Sequence, residues 1–281
     1  MPCPVRTFLS IAASTDRRTG AKLNESFYLC NVKRIIAILS LLACISCADA
    51  KVRQYTVEVV KEYPHDAHAY TQGLFFHDGT FYESTGQWGE SSMRIVELAT
   101  GKVVRKLDFA RKYFGEGSVI LGDNLYYLTW TNKVAFVYDA KTLEYKQSYS
   151  YPREGWGLTT DGKSLIASDG SSKIYFLDQN LKLERSISVK LNGRSINYLN
   201  ELEWIDGKIW ANVYTTDTIL IINPADGVVE ATIDCKGLLP NKLRTADTDV
   251  LNGIAVDAAG KIYLTGKNWP RLYEIKLVEK K

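Results

Sequence analysis

The segment Leu74-Phe75-Phe76-His77-Asp78-Gly79-Thr80-Phe81-Tyr82 decides the fold. An apolar run meets Asp-Gly and continues as an aromatic-rich run. Asp and Gly accept the positive φ of a tight hairpin turn, so the segment reads as two antiparallel strands. The pattern returns as Val119-Ile120-Leu121-Gly122-Asp123-Asn124-Leu125-Tyr126-Tyr127 and as Thr159-Thr160-Asp161-Gly162-Lys163-Ser164-Leu165-Ile166. It appears again as Glu203-Trp204-Ile205-Asp206-Gly207-Lys208-Ile209-Trp210, and last as Ala255 to Tyr263 across Ala259-Gly260. The turns fall at 78, 123, 161, 206 and 259, with spacings of 45, 38, 45 and 53.

A second hairpin follows most of these turns. Ile95–Leu98 turns at Thr100-Gly101 into Val103–Leu107, and Leu220–Asn223 turns at Asp226-Gly227 into Val228-Val229. Each unit is therefore four short antiparallel strands over about 45 residues, the period of a β-propeller blade. The fifth unit lacks an outermost strand, because only four residues follow Leu277. The strand-like run Tyr55–Val60 is expected to complete it. The fold class read here is all-β, a five-bladed β-propeller whose ring is closed by an N-terminal strand. Such closure removes the unpaired edge of an incomplete ring.

The repeats begin after a different kind of segment. Lys33-Arg34 precede a run from Ile35 to Ile45 that is apolar except for Ser40, and Ala48-Asp49-Ala50 follows. These are the parts of an export signal, and the run is too short to span a bilayer comfortably. Two processing routes fit. Cleavage after Ala50 would release a soluble domain. Leu41-Leu42-Ala43-Cys44 looks like a lipobox, which would make Cys44 a lipid anchor and the only membrane attachment, with Cys47 after Ser46 a second choice. Residues 1–31 are unusually long for the front of a signal, so translation is expected to start at Val32, where a valine-type start codon reads as Met. The organisation is a leader over 1–50, with 1–31 a mis-assigned extension and 32–50 the signal peptide, and one catalytic domain over 51–281. The product is expected outside the cytoplasm, periplasmic or extracellular, and monomeric.

Separating the leader alters the totals. The chain carries 35 basic and 32 acidic residues; six and three lie in residues 1–50, leaving 29 of each in the domain. A neutral domain offers no electrostatic reason to bind nucleic acid. Four of five cysteines are in the leader, so Cys235 alone remains and no disulfide within the domain is available. Cys235 ends a strand-like run and reads as a packed thiol. The histidines His65, His68 and His77 cluster, but His65-x-x-His68 beside Asp66 has no further close-range ligand. No metal and no cofactor is expected.

In a propeller, function usually sits at one mouth of the central channel, near the starts of the inner strands. Those starts are unusually polar and aromatic: Tyr70-Thr71-Gln72-Gly73, Phe114-Gly115-Glu116-Gly117, Gly155-Trp156-Gly157, Leu199-Asn200-Glu201-Leu202 and Leu251-Asn252-Gly253. Strand ends add Glu83-Ser84-Thr85-Gly86, Thr129-Trp130, Asn212-Val213-Tyr214 and Thr265-Gly266-Lys267-Asn268-Trp269. Equivalent positions in five repeats converge on one axis, which brings Gln, Glu, Trp, Asn and Lys around one pocket. Trp204 and Trp210 read as packing between blades. Glu201 and Glu203 share one strand face, either as a paired carboxylate or as structural hydrogen-bond acceptors.

These motifs, with Tyr-Thr-Gln-Gly-Leu, Phe-Gly-Glu-Gly, Gly-Trp-Gly-Leu-Thr, Leu-Asn-Glu-Leu-Glu-Trp and Thr-Gly-Lys-Asn-Trp-Pro foremost, resemble the glutaminyl-peptide cyclotransferases of plant and bacterial type from about Tyr55 to Leu277. The resemblance implies a five-bladed propeller that converts an N-terminal glutamine to pyroglutamate with release of ammonia. It makes Glu116 the catalytic acid, with Gln72, Asn200 and Lys267 in binding or orienting roles. Trp130 and Trp156 match the family's pocket tryptophans. Tyr70 stands where many members have Phe, and Tyr214 where many have Trp. Phe114, Glu83 and Trp269 complete the expected substrate-binding set. The partners implied are peptides or proteins with N-terminal glutamine.

The reaction suits these residue types. The neutral α-amine attacks the side-chain amide carbon of the same residue, so holding one conformer supplies much of the rate. A single carboxyl can accept the amine proton and return it to the leaving nitrogen. Asn200, Gln72 or Lys267 can donate to the oxyanion. Two other readings remain at this stage. A non-catalytic secreted propeller would bind peptide N-termini. A metal-dependent lactonase would need several channel carboxylates, where the strand starts offer only Glu116 with Glu83 or Glu201.

Overall fold

The computed structural model describes residues 51–280, and the expectations placed on residues 1–50 lie outside them. Two of the five turns take the expected pair of left-handed residues, while at Asp161-Gly162 only Gly162 does, with φ of 84°. Asp78 and Gly79 have φ of 48° and 73°, and Asp206 and Gly207 have 51° and 74°. Two consecutive left-handed residues match the right-handed twist of the flanking strands, which is why Asp-Gly sits there.

Three separate four-stranded antiparallel sheets follow in chain order. The first holds Thr71–His77, Thr80–Thr85, Ser92–Glu97 and Lys102–Asp108. The second holds Gly115–Leu121, Asn124–Thr129, Val134–Asp139 and Tyr145–Ser150. The third holds Leu158–Thr160, Leu165–Ser168, Lys173–Leu177 and Leu183–Ser188. An eight-stranded sheet contains the remaining long strands. One half is Leu199–Ile205, Lys208–Val213, Thr218–Ile222 and Val229–Asp234. The other is Leu251–Val256, Ile262–Gly266 and Arg271–Glu279, with β1 (Arg53–Pro64) between the halves.

β1 is twice as long as the run read from the sequence. It pairs antiparallel with Arg271–Glu279 from Tyr55 opposite Glu279 to Pro64 opposite Arg271. It also pairs in parallel with Val229–Asp234 through Arg53 to Thr56. The parallel pairing was not anticipated. Arg53 and Gln54 extend past the end of Arg271–Glu279, while Tyr55 and Thr56 are paired on both sides and join the two halves.

Two short elements lie outside the four-stranded pattern. A small hairpin, Lys190–Leu191 with Arg194–Ser195, lies between the third sheet and the strand Leu199–Ile205. The widest spacing contains the 3-10 turn Asn241–Leu243. No α-helix occurs among the described residues, and the architecture is all-β and propeller-like.

Five apolar clusters lie between sheets. One joins Phe75 and Met93 to Leu125 and Tyr127; the next joins Val119 and Leu128 to Leu165 and Ala167. A third joins Ile166 and Phe176 to Leu202 and Ile209, and a fourth joins Ile219 and Ile233 to Ile254 and Tyr273. The fifth packs Leu272 and Tyr263 against Leu74 and Phe81. Inner strands are buried on both faces, as in Gly115–Leu121, while outer strands such as Lys102–Asp108 face solvent. Trp210 and Cys235 belong to the fourth cluster, as packing residues.

Candidate active site

Four of the inner strands share one irregularity, which Leu158–Thr160 lacks. Their pairing shifts register between Thr71 and Gly73, between Gly115 and Ser118, between Leu199 and Leu202, and between Leu251 and Ile254. A bulge leaves extra residues out of the ladder and re-aims their side chains. The residues inside these four bulges include Gln72, Glu116, Asn200 and Asn252. The neighbouring glycines allow the strands to crowd the axis. A Cβ on Gly117 would stand 2.5 Å from the Leu158 amide nitrogen, and one on Gly73 would stand 2.9 Å from that of Ser118.

At this end lies a cavity of about 200 Å³ lined by Tyr70, Gln72, Gln87, Phe114, Glu116, Trp130, Trp156, Asn200, Tyr214 and Lys267. Nine of these were expected from the sequence; Gln87 was missed. It directly follows Thr85-Gly86 and holds φ of 93°, which no composition rule flags.

The two charged residues are both nearly enclosed, with Glu116 5% and Lys267 3% exposed. Burial pushes the Glu116 carboxyl well above the usual carboxylate range; the Lys267 charge opposes this, and Glu154 adds to it. Burial pulls the Lys267 ammonium down, while Glu116 and Asp249 hold it up. Lys267 Nζ lies 4.8 Å from the Tyr70 ring centre and 4.9 Å from that of Tyr214. Both aromatic faces favour its cationic form. The Glu116 backbone is fixed as well: its carbonyl accepts from Ser84 Oγ at 2.8 Å, and Gly117 N–H donates to the Trp156 carbonyl at 2.7 Å.

The aromatic wall is braced by acids the sequence reading missed. Trp130 Nε1 and Trp156 Nε1 both donate to Glu154 Oε2, at 2.8 and 3.1 Å. One carboxylate oxygen thus sets two indoles. Tyr70 donates to Asp249 Oδ2 at 2.9 Å, so the hydroxyl that Tyr70 carries beyond Phe is satisfied. Phe114 is the hub of the wall, with Tyr70 at 6.2 Å and Trp130 at 5.5 Å between ring centres. Trp156 meets Tyr214 edge to face at 5.6 Å.

The floor is amide. Asn252 Nδ2 donates to the Thr71 carbonyl at 2.9 Å and to Gln72 Oε1 at 3.4 Å. Asn200 Oδ1 is buried without a hydrogen-bond partner among the described residues. Asn252 Oδ1 and Asn212 Nδ2 are buried in the same way, without hydrogen-bond partners, and each such group carries the cost of its lost hydration.

Two residues expected to bind substrate are not in the lining. Glu83 is 1% exposed and lies in a buried polar cluster. Its Oε1 accepts from Thr71 Oγ1 at 2.7 Å and faces His65 Nε2 at 2.9 Å, with Arg94 Nη1 4.0 Å from Oε2. Burial alone would raise its pKa, but His65 and Arg94 bring it below the ordinary value. Trp269, 1% exposed, donates to the Asp249 carbonyl at 2.9 Å and packs edge-on to Tyr273 at 6.3 Å. It supports the loop that carries Asp249. His65 is thereby a structural histidine, its Nδ1 2.6 Å from the Trp269 carbonyl oxygen.

Glu201 and Glu203 are structural acceptors within the channel. Glu201 takes the amides of Leu74 at 3.3 Å and Ile254 at 2.9 Å. Glu203 takes the Thr159 hydroxyl at 3.2 Å and the Val256 amide at 3.3 Å.

The fold is an all-β, propeller-like scaffold whose aromatic-walled cavity holds one buried acid and one buried lysine. The sequence model of one family, described as glutamine cyclotransferase, matches residues 33–277. A glutaminyl-peptide cyclotransferase of Arabidopsis thaliana is 43% identical over 240 residues, covering 83% of this chain and 74% of that protein. The crystal structure of a glutaminyl cyclase from Myxococcus xanthus superposes with a TM-score of 0.77 at 34% identity, over 82% of this chain and all of the other. The chain belongs to the glutamine cyclotransferase family of enzymes.

Proposed function

We propose that the protein converts the N-terminal glutamine of peptides and proteins to pyroglutamate, with Glu116 as the proton shuttle. The observation that carries this is a single enclosed carboxyl with a raised pKa, facing a cavity whose other charge is Lys267. The substrate's neutral α-amine attacks Cδ of its own side chain, forming the ring C–N bond. Glu116 accepts the amine proton and returns it to the side-chain nitrogen, whose bond to Cδ then breaks to release ammonia. A carboxyl with a raised pKa suits both halves of this transfer.

The remaining residues position and stabilise. Lys267 faces the developing oxyanion, where enclosure strengthens its effect. Asn200, in the cavity lining, orients the substrate. Tyr70, Phe114, Trp130, Trp156 and Tyr214 hold the folded-back side chain in one conformer.

The scaffold is proposed to be a ring of five blades. Five apolar clusters that link the sheets in cyclic order support this, with the last returning to the first. β1, paired along Arg271–Glu279, supports closure by the N-terminal strand. Residues 51–281 are proposed as the catalytic domain, exported behind the signal in 32–50. N-terminal sequencing of the native product tests that, and a peptide from residues 1–31 would overturn the internal start.

The activity is tested by ammonia release from a Gln-initiated dipeptide. Glu116→Gln is expected to keep the fold and lower kcat by at least about 100-fold, the usual contribution of a positioned acid–base group. Near-wild-type turnover in that variant removes Glu116 from the reaction.

A further inference from the structure

The substrate extends beyond its glutamine, so the residue that follows must leave the cavity across its rim. Beside the lining stands a half-exposed indole. Trp88 is 49% exposed, although it adjoins the lining residue Gln87. Its ring meets Phe114 edge to face, 5.6 Å between centres and 71° between planes. Phe114 in turn contacts Tyr70 and Trp130. Trp88 therefore continues the aromatic wall of the cavity outward into solvent.

The turn that carries it is pinned. The Gln87 carbonyl accepts from Glu90 N–H at 3.2 Å, Ser91 N–H at 3.1 Å and Ser91 Oγ at 2.7 Å. Ser91 Oγ also accepts Gly115 N–H at 2.8 Å, one residue from Glu116. Gly86 permits the approach, since a Cβ there would stand 2.5 Å from a Phe114 ring carbon. A large exposed aromatic on a rigid turn loses little entropy when it takes a partner.

We propose that Trp88 forms the subsite for the second residue of the substrate and selects peptides in which that residue is aromatic or large and apolar. The proposal rests on the cyclotransferase reading above. A contact made equally in ground and transition states changes KM and leaves kcat alone.

Two substrates separate the possibilities, glutaminyl-phenylalanine and glutamine amide, the latter without a second residue. Trp88→Ala is expected to raise KM for glutaminyl-phenylalanine about five- to tenfold, the size of one aromatic pair contact. Its kcat stays at the wild-type value, and both constants for glutamine amide are unchanged. Trp88→Phe, which keeps a ring, is expected to recover most of the loss and guards against a local folding defect. Equal loss on both substrates, or no loss on either, overturns the subsite while the activity stands. Wild-type protein that releases ammonia from neither substrate overturns the activity and the subsite together.

Discussion

Glu154 shows how a residue outside the cavity can govern the chemistry within it. Its Oε2 holds both pocket indoles, and its charge helps keep the Glu116 proton in place. Replacing it with Gln removes the charge and leaves one amide oxygen as acceptor. The sign follows directly: with less negative charge nearby, the Glu116 carboxyl ionises more easily and its pKa falls. The acid limb of kcat/KM is expected to move to lower pH in Glu154→Gln. The substrate amine contributes to that limb equally in both proteins, so the difference isolates Glu116. A purely structural Glu154 would lower activity without moving the limb. Lys267 gives the complementary test. Lys267→Met is expected to reduce kcat about 100-fold or more, as removal of one oxyanion donor does, with ammonia release as the readout.

At the scale of the element, the strand Thr80–Thr85 explains why Glu83 was assigned to the wrong place. Strands buried on one face alternate, and the alternation says where each side chain points. This strand is buried on both faces, so nothing in its sequence separates the channel side from the sheet interior. Glu83 turned away from the cavity, to His65, Thr71 and Arg94. Removing one member of a buried charged cluster leaves the others uncompensated. Glu83→Ala is thus expected to cost about 3–5 kcal/mol in urea unfolding with little change in KM. A stable variant with raised KM would return Glu83 to the substrate site. By contrast, Gln72, Glu116 and Asn200 were legible because the repeat placed them at equivalent strand starts and their bulges turned them inward. Glu154 and Asp249 sit in connecting segments with no periodicity, so only the folded contacts with Trp130, Trp156 and Tyr70 reveal their work.

Across the whole molecule, the inner strands of neighbouring sheets are tied by side chains, and Glu201 and Glu203 make several of these ties. From one strand, Leu199–Ile205, they reach Leu74, Thr159, Ile254 and Val256 on three others. The repeats made this axis legible, but the partners of the two acids are distant in sequence and were not. Holding two buried carboxyls on one strand has a consequence for stability. Burial raises the Glu203 pKa to about 8, against the pull of the Thr159 hydroxyl and the Val256 amide. Burial and the neighbouring Glu203 raise Glu201 in the same direction. A carboxyl whose folded pKa is raised binds its proton more tightly in the native state. Its contribution is full below the unfolded pKa, near 4.5, and is lost as pH rises towards about 8. Each unit of pH in that window costs up to about 1.4 kcal/mol for one such group. Glu203→Gln keeps an oxygen acceptor and cannot ionise. Its unfolding midpoint relative to wild type is therefore expected to climb steadily from pH 5 to pH 8. A difference constant across that range would mean that the Glu203 carboxyl ionises in the channel as readily as in the unfolded chain.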